Sequence, residues 1–452
     1  MSKQIRDLTE GNIAKNLFKY TLPAILAILL SRIYTTVDSI MVGKIIGESG
    51  LAAIGSTASF ITTLSALLWG AGTGIAIYAG SLVSANKKEQ AVRVIKTNLF
   101  LLIIISLTIS VFGIFLYSPI FKLLAVDGAI YDQSLIYYII ILSSQFAVTI
   151  NSFTNDLFFV MGNSSHAMKT SILNCMINVS LNYLFMAVLD WGVFGAGLAT
   201  FISLVAIFLY NIYSLSKVCK GFSIAKQPIK INKENVAFAW KMAVPCMLQQ
   251  GVMYISSAVV QPILNGMGIH ATASFTVCLR IYDICTIFFY SASRGLSTLC
   301  SQCCGNGKAH LIKKGFITSM GLALVFSAPI VILMLIFPNV VASIFLQNAS
   351  GQTAGYIVRY IRLCFPFVVL VILNNQFHNF FRGVLVPLLA TISTICYSVG
   401  RIVFSFALSP IMGMDGIFLA FILSWATESI ICFIMLISKK WRKRLDMKNS
   451  DL

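Results

Sequence analysis

Long runs of apolar residues recur along the chain, separated by short polar stretches. Each run is about 20 residues or somewhat more, the length that a helix needs to cross about 30 Å of hydrocarbon. The runs are continuous rather than alternating, which argues against a membrane β-barrel and for helices, whose backbone groups are bonded internally. The pattern predicts twelve transmembrane helices, at residues 17–43, 52–82, 95–117, 133–160, 168–189, 194–216, 242–264, 273–301, 315–337, 356–380, 386–408 and 416–438.

The second half of the chain repeats the first at a nearly constant offset. Pro23 and Pro245, near the starts of the first and seventh predicted helices, are 222 residues apart. The offset then holds at 221 for Gly47/Gly268, Ala71/Ala292, Gly74/Gly295, Lys87/Lys308, Gly162/Gly383, Gly195/Gly416, Ala199/Ala420 and Ser203/Ser424. An even number of helices per repeat orients both copies the same way, so we predict an all-α polytopic membrane protein of two six-helix bundles, related by a pseudo-two-fold axis along the membrane normal.

The repeat also predicts how the chain divides into domains. An N-terminal six-helix lobe is expected at 1–216, a cytoplasmic linker at 217–241, a C-terminal six-helix lobe at 242–438 and a basic cytoplasmic tail at 439–452. Transporters built from such repeats place their substrate at or near the interface between the halves. The repeat is therefore the strongest sequence argument for transport.

Composition and charge agree with a membrane protein. Of the residues, 58% are hydrophobic and only 11% charged, against about 25% charged in soluble domains, and the mean hydropathy is +0.87. Most of the 33 Lys and Arg lie on one predicted side, with Lys44 and Lys122 as the main exceptions. The positive-inside rule therefore predicts a multi-pass protein of the cell inner (plasma) membrane with both termini cytoplasmic. This asymmetry and anionic membrane lipid account for the net charge of +18, so no nucleic-acid partner is expected.

Little in the sequence points to catalysis or to a resident metal. Cys300, Cys303 and Cys304 have ligand-like spacing, but no His or second Cys pair accompanies them in that loop, so we interpret them as packing residues. The four His are scattered and form no cluster that an enzyme or receptor site would need. We expect no enzyme activity, no metal site and no cofactor.

Polar residues of the first half lie on three predicted helices, and on the first and the fifth they share one face. They are Ser31, Tyr34, Thr35 and Asp38 of the first helix, Asn151, Asn155 and Asp156 of the fourth, and Asn174, Asn178 and Asn182 of the fifth. A carboxyl group among amides can load and release a proton, and amide oxygens are hard ligands for a small cation. The predicted cation-coupling residues are Asp38, Asn178, Asn182, Asn155, Asp156 and Tyr34. The amides are equally explained as hydrogen-bonding contacts between helices, and Asp156 as a solvated helix end.

The second half carries polar residues at other positions. The candidate substrate-cavity residues are Gln250, Tyr254, Ser257, Gln261, Asn375, His378, Asp283 and Glu428. Uncharged stripes of this kind are also common helix contacts. Asp283 is expected to pair with Arg280. Glu428 could either pair with Arg401 or couple ions. His378 could either carry protons or be a hydrogen-bonded packing residue.

Four segments resemble the multidrug and toxic compound extrusion (MATE) family. Leu22–Gly55 is similar to its first-helix signature, a Pro followed by an Asp, a short apolar run, Gly and small residues. Trp69–Ala91 resembles the end of the second helix and its basic loop, and Ser293–Lys308 is the same element in the second half. Met161–Phe185 resembles the connection between the fourth and fifth helices.

The resemblance, to the prokaryotic DinF-like branch, implies an antiporter with a V-shaped pair of lobes. Such a protein exports cationic or amphipathic organic compounds in exchange for H⁺ or Na⁺. Asp38 matches the coupling aspartate of the N-lobe and Asn178 an amide beside it, whereas Asn182 falls where many members have a second aspartate. The second half lacks the acids that the NorM-like branch uses on its seventh and tenth helices. A site with one acid and several amides leaves the coupling ion open.

A second function remains open from the sequence. Arg32, Arg280, Arg294 and Arg401 keep a lipid-linked or polysaccharide precursor flippase of the same broad superfamily as the alternative. The expected partners are small organic cations or amphipathic compounds and membrane lipid, and we expect a monomer.

Overall fold

The computed structural model describes residues 6–124, 126–221, 233–345, 351–438 and 441–442. Within these residues the secondary structure is helical, with no β-strand. The α-helices are α1 (Ile13–Ile45), α2 (Glu48–Ser84), α3 (Lys88–Phe115), α4 (Tyr117–Leu123), α5 (Tyr131–Ser143), α6 (Gln145–Val160), α7 (Ser164–Asn182), α8 (Gly192–Gly221), α9 (Lys233–Gly266), α10 (Ile269–Asn306), α11 (Leu311–Ile336), α12 (Pro338–Phe345), α13 (Gly351–Cys364), α14 (Val368–Gly383), α15 (Pro387–Met412) and α16 (Met414–Ile437).

Among the described residues, eleven helical segments are long and apolar enough to cross a membrane, and the bent pair of α5 and α6 gives a twelfth. Each predicted helix matches one of these segments, so the all-α polytopic fold is confirmed. Two short helices, α4 and α12, lie outside the predicted set. They begin at Tyr117 and Pro338, 221 positions apart, which is the offset of the sequence repeat.

Two of the predicted helices are interrupted, and the prediction of continuous helices at 133–160 and 356–380 is wrong in this respect. The first bends by 43° between α5 and α6. There the Ser144 N–H contacts the carbonyls of both Ile140 and Ile141, at 3.2 and 3.1 Å, which tightens the turn. The second passes through a 3₁₀ turn at Phe365–Phe367, because Pro366 has no N–H for the helical ladder.

The fifth predicted helix changes its winding just before its end. α7 passes into a π-helical turn at Tyr183–Val188, directly after Asn182. The chain then reverses through Asp190, whose φ is 52°. π-Helical turns such as the one at Tyr183–Val188 are rare, and they occur frequently at functional sites.

The chain forms two compact units, which contain the described residues of Met1–Asp7 with Leu22–Met247 (unit 1) and of Leu8–Thr21 with Leu248–Leu452 (unit 2). The start of α1 thus belongs to unit 2 and the start of α9 to unit 1. In the predicted linker, 217–221 end α8 and 233–241 begin α9, whereas 222–232 lie outside the described residues. Of the predicted tail, only 441–442 are described. The predicted lobe boundaries stay predictions.

Repeat-related glycines lie at close helix crossings in both units. In unit 1, a Cβ on Gly74 would lie 2.5 Å from the Met242 carbonyl oxygen, because α2 and α9 meet there backbone to backbone. In unit 2, a Cβ on Gly295 of α10 would lie 3.1 Å from the ring of Tyr20 of α1. Small residues permit such close approach, which contributes van der Waals packing between helices in lipid.

Each unit has an aromatic core. In unit 1, the ring of Phe121 packs edge-on against Tyr138 at 5.4 Å, and the Tyr138 hydroxyl donates to the Gly113 carbonyl at 2.9 Å. In unit 2, the rings of Tyr360 and Phe418 lie 5.3 Å apart. These contacts join α3, α4 and α5 in unit 1, and they join α13 with α16 in unit 2.

Candidate functional site

The Asp38 carboxylate of α1 is bonded to the amide stripe of α7. Asn182 Nδ2 donates to Asp38 Oδ1 at 2.5 Å and to Asn178 Oδ1 at 2.9 Å. Asp38 is half-buried, and both asparagines are fully buried. Residues four apart share a helix face, so α7 presents both amides to the acid. The structure therefore brings together three of the six predicted coupling residues.

The cluster extends to α8 through a residue that the sequence did not single out. Asn178 Nδ2 donates to Thr200 Oγ1 at 3.3 Å. A lone threonine in an apolar run gives no periodic signal, so only the fold identifies it. Within the described part of the chain, the buried Asn182 Oδ1 has no hydrogen-bond partner. An unsatisfied buried oxygen costs about 1–3 kcal/mol, so this atom is a candidate acceptor for a proton donor or a cation.

Two tyrosines face the same carboxylate. Tyr34, one turn before Asp38 on α1, lines the same cavity as Asn174 of α7. Tyr137 of α5 faces both Asp38 and Tyr34. Tyr34 is a predicted coupling residue, whereas Tyr137 carries no sequence signal because it lies in an apolar stretch with no polar stripe.

A cavity of about 210 Å³ lies in unit 1 beside this cluster. Its wall comes from α1, α6, α7 and α8 and is polar but uncharged. It consists of Ser31, Tyr34, Val148, Asn151, Ser152, Asn155, Thr170, Ser171, Asn174, Leu204 and Ile207. Asn155, predicted as a coupling residue, lies in this wall, where Thr170 donates to its Oδ1 at 3.2 Å. Tyr34 connects the cavity to the Asp38 cluster.

Asp156 occupies a different environment from its neighbour Asn155. Thr73 of α2 donates to Asp156 Oδ2 at 2.5 Å, and Asp156 is 3% exposed. The interpretation of Asp156 as a solvated helix end is therefore wrong, because α2 covers it. Asp156 does not belong to the cavity wall described above, and its role in coupling stays a prediction.

On α9 the buried hydrogen bonds are made by Gln249 and Ser256, which lie next to the predicted polar stripe of Gln250, Tyr254, Ser257 and Gln261. Gln249 Nε2 donates to Thr394 Oγ1 at 2.8 Å, and Ser256 donates to the Ser398 carbonyl at 3.3 Å. The predicted residues Gln250 and Gln261 are half-buried, and Tyr254 and Ser257 are exposed. The sequence analysis singled out only the Gln250 face of this helix, whereas Gln249 and Ser256 on the neighbouring face pack against α15.

Three ionisable side chains in the second half meet partners that the sequence left open. Glu428 lies 2.9 Å from His378, so its predicted pairing with Arg401 is wrong. Arg401 instead donates to Ser257 at 3.1 Å and lies 4.4 Å from the centre of the Phe421 ring.

The other predicted residues of this half have these positions. Asn375 donates to the Val371 carbonyl of its own helix at 3.2 Å. Asp283 is half-buried on α10, and its pairing with Arg280 stays a prediction. The assignment of these residues to a substrate cavity is likewise a prediction.

The cysteine cluster packs between helices. Cys300 and Cys303 are fully buried, and a Cβ on Gly383 would lie 2.7 Å from Cys300 Cβ, so α14 closes over them. In the part of the chain that the structure describes, no group of three or more His, Cys, Asp or Glu side chains could hold a metal ion.

Eleven or twelve apolar spans and a carboxylate held by amides inside them define a polytopic membrane transporter. The MatE family model matches the chain twice, at residues 23–184 and 245–407. These two matches cover most of the chain and lie at the spacing of the internal repeat. The chain belongs to the MatE family.

Known relatives are distant but match along the whole length. The "Probable multidrug resistance protein YpnP" of Bacillus subtilis is 23% identical over 96% of this chain and 97% of its own. The "Multidrug export protein MepA" of Staphylococcus haemolyticus is 22% identical over 100% of this chain and 98% of its own length. A solved structure described as the outward-facing conformation of a multidrug resistance MATE family transporter superposes with a TM-score of 0.88 at 20% identity, over 97% of this chain and 98% of that one. That likeness supports the fold.

Proposed function

We propose that this protein is a secondary active antiporter that exports cationic or amphipathic organic compounds in exchange for H⁺ or Na⁺, by alternating access of its two lobes. The observation that carries the proposal is the Asp38 carboxylate, bonded to Asn182 inside an apolar span. An ionisable group inside an apolar span is costly, and by default it marks a path for ions or substrate. The family and its multidrug-export relatives support the same function.

Two kinds of ion fit the cluster, for different reasons. Asp38 can take up one proton. Alternatively, its carboxylate, the Asn178 and Asn182 amide oxygens and the Thr200 hydroxyl offer the hard oxygen ligands that a small cation prefers. The unpartnered Asn182 Oδ1 favours a bound cation or water in the loaded state. Either ion occupies the same oxygens, so loading one excludes the other.

The cavity supports an amphipathic substrate class. Its wall combines amide and hydroxyl groups with Val148, Leu204 and Ile207 and carries no charge of its own. At about 210 Å³ it is below the roughly 300–1,000 Å³ of sites for drug-sized ligands, so it would hold part of such a compound. The neighbouring Asp38 supplies the negative charge that attracts an organic cation once its ion has left.

A reconstitution experiment tests the proposal. Transport of a fluorescent lipophilic cation into proteoliposomes is measured under separate Na⁺ and proton gradients, for the wild type, Asp38→Asn and the control Asp415→Asn. Asp415 pairs with the exposed Arg359 at 3.0 Å, so its variant controls for loss of a carboxylate elsewhere.

We expect one gradient to drive transport, the control to keep it and Asp38→Asn to lose it while remaining folded. In one-for-one exchange for a monovalent cation no net charge moves, so the concentration gradient of the coupling ion supplies the work: a tenfold gradient gives about 1.4 kcal/mol, enough for about tenfold accumulation. Gradient-driven transport by folded Asp38→Asn at the wild-type rate would refute the coupling role.

The flippase alternative has less structural support. An anionic, lipid-linked substrate would need arginines that face an open cavity. Of the four arginines that keep this alternative open, Arg401 is 5% exposed and is held by Ser257 and Phe421, so its guanidinium group serves helix contacts within unit 2. Arg294 is half-buried, and Arg32 and Arg280 are exposed.

A further inference from the structure

A buried acid–imidazole pair in unit 2 has no role in the function proposed above. His378 Nε2 of α14 lies 2.9 Å from Glu428 Oε1 of α16, and the two side chains are 14% and 6% exposed. Both residues lie within apolar spans. Ionisable side chains in such positions by default mark a path for ions or substrate.

Hydrogen bonds hold the pair in place from three helices. Asn374 Nδ2 donates to Glu428 Oε2 at 2.9 Å, and Ser429 Oγ donates to the side-chain amide oxygen of Asn374, Oδ1, at 2.7 Å. On the other side, the Ser393 hydroxyl of α15 lies 3.1 Å from His378 Nε2. A hydroxyl can donate or accept, so the surroundings fit the imidazole in either charge state.

The contact leaves room for one more proton. Glu428 Oε1 lies 2.9 Å from His378 Nε2 but makes no hydrogen bond in the described part of the chain. A proton added to this oxygen or to the imidazole would give the pair the hydrogen bond that it lacks, while the bonds of Asn374 and Ser393 keep the helices joined. A proton site that reloads in every cycle requires this property, and a contact that serves only packing does not.

Other charged and titratable groups face the pair from neighbouring helices. Tyr282 of α10, Tyr397 of α15 and Cys432 of α16 lie near Glu428, and Asp283, Arg401 and Cys396 lie near these three residues. On α13, Tyr360 and Cys364 contact Phe418, ten residues along α16 from Glu428. On α11 the only titratable residues are Lys313 and Lys314, in its first turn.

The charges around the pair favour a site that changes state. Arg401 faces the same group of side chains but makes its contacts with Ser257 and Phe421. The group next to Glu428 is instead His378, whose imidazole can be neutral or charged. With Arg401 charged, adding a proton to the pair adds one positive charge to unit 2, which an organic cation bound near the pair would oppose.

We propose that His378 and Glu428 form a second proton-binding site, in unit 2, which releases its proton when a cationic substrate binds and reloads after the substrate leaves. The inference rests on the proposed antiport, and it adds one coupled proton to whatever ion Asp38 carries. The proton binds as an N–H or O–H bond within the pair and returns to the solution on release.

Proton release on substrate binding tests this site directly. Purified protein in weakly buffered, Na⁺-free detergent solution is mixed with tetraphenylphosphonium, a permanent cation that carries no proton, and a pH indicator reports the protons released per cation bound. The variants are Asp38→Asn, Glu428→Gln, His378→Asn and the double variant Asp38→Asn/Glu428→Gln. The Gln oxygen still accepts from Asn374, so Glu428→Gln preserves that helix contact.

By linkage, folded Asp38→Asn should still release about one proton per bound cation, and the double variant none. Glu428→Gln and His378→Asn should each release about one proton fewer than the wild type. A pair that serves only packing would lower the melting temperature of these variants and leave the proton count unchanged, which would overturn the proposal. If the unit 2 variants do not fold, a count of zero in Asp38→Asn overturns it.

The same variants separate this inference from the proposed function. If Asp38→Asn loses gradient-driven transport and also releases no proton, the antiport stands and the second site fails. If Asp38→Asn transports like the wild type, the coupling role of Asp38 fails whatever the proton count.

Discussion

The hydrogen bond between Asp38 and Asn182 permits a test in which the two residues exchange places. Asp38→Asn removes the charge, and adding Asn182→Asp restores it on α7 at the other end of the same 2.5 Å contact. The charge-assisted bond, which contributes about 1.5–3 kcal/mol, is re-formed with donor and acceptor reversed. We therefore expect the exchanged variant to regain the transport that Asp38→Asn loses.

The structure also sets the size of the remaining defect. A carboxylate at position 182 would face Asn178 Oδ1, which now lies 2.9 Å from Asn182 Nδ2, so two acceptors would meet. Asn178 must then turn its amide and give up its bond to Thr200, at 3.3 Å. One neutral hydrogen bond contributes about 0.5–1.5 kcal/mol. The exchanged variant should therefore transport about 2- to 13-fold more slowly than the wild type.

The assay is uptake of a fluorescent lipophilic cation into proteoliposomes under the gradient that drives the wild type. A matched control, Asp38→Asn with Asn174→Asp, places an acid in the cavity wall away from the Asn182 contact, and we expect it to remain inactive. Two results would refute the reasoning. One is an exchanged variant that folds but is as inactive as Asp38→Asn, and the other is equal rescue by the Asn174→Asp control.

Two further predictions concern contacts within unit 1. Gly74→Val should lower the free energy of unfolding by about 1–3 kcal/mol, and with it the melting temperature, because its Cβ would lie 2.5 Å from the Met242 carbonyl oxygen. The control Gly321→Ala, in unit 2, has open space around its Cβ and should leave the melting temperature unchanged. Equal effects of the two substitutions would contradict the close crossing. Asp156→Asn should keep transport and stability, because an amide oxygen still accepts from Thr73, whereas Asp156→Leu should be less stable by about 1 kcal/mol or more. Loss of ion-driven transport in folded Asp156→Asn would instead place Asp156 in the coupling site.

The sequence predicted much of the candidate site through helical period alone. Asn178 and Asn182 are four residues apart, so their common face follows from the winding of any α-helix. That this face meets Asp38 depends on how α1 and α7 pack, and no local pattern records it. Thr200 and Tyr137 could not be found for the same reason, because each is a single polar group that becomes significant only through its neighbours.

The charged residues of the second half show where sequence reasoning stops. Glu428 was open to pairing with Arg401 because both are ionisable residues in apolar helices, and charge alone does not choose a partner. Packing of α14 against α16 placed His378 at 2.9 Å instead. The sequence likewise gave no sign that α2 covers Asp156.

By itself, the sequence determined the membrane class, the helical spans, the internal repeat and the acid around which the candidate site is built. These follow from composition and period, because lipid requires each span to satisfy its own backbone hydrogen bonds. The tertiary structure alone decided the partners of Glu428 and Asp156 and the cavity beside Asp38. Those features depend on which faces of different helices meet, and in lipid that choice is made by side-chain packing and interhelical hydrogen bonds rather than by hydrophobic burial.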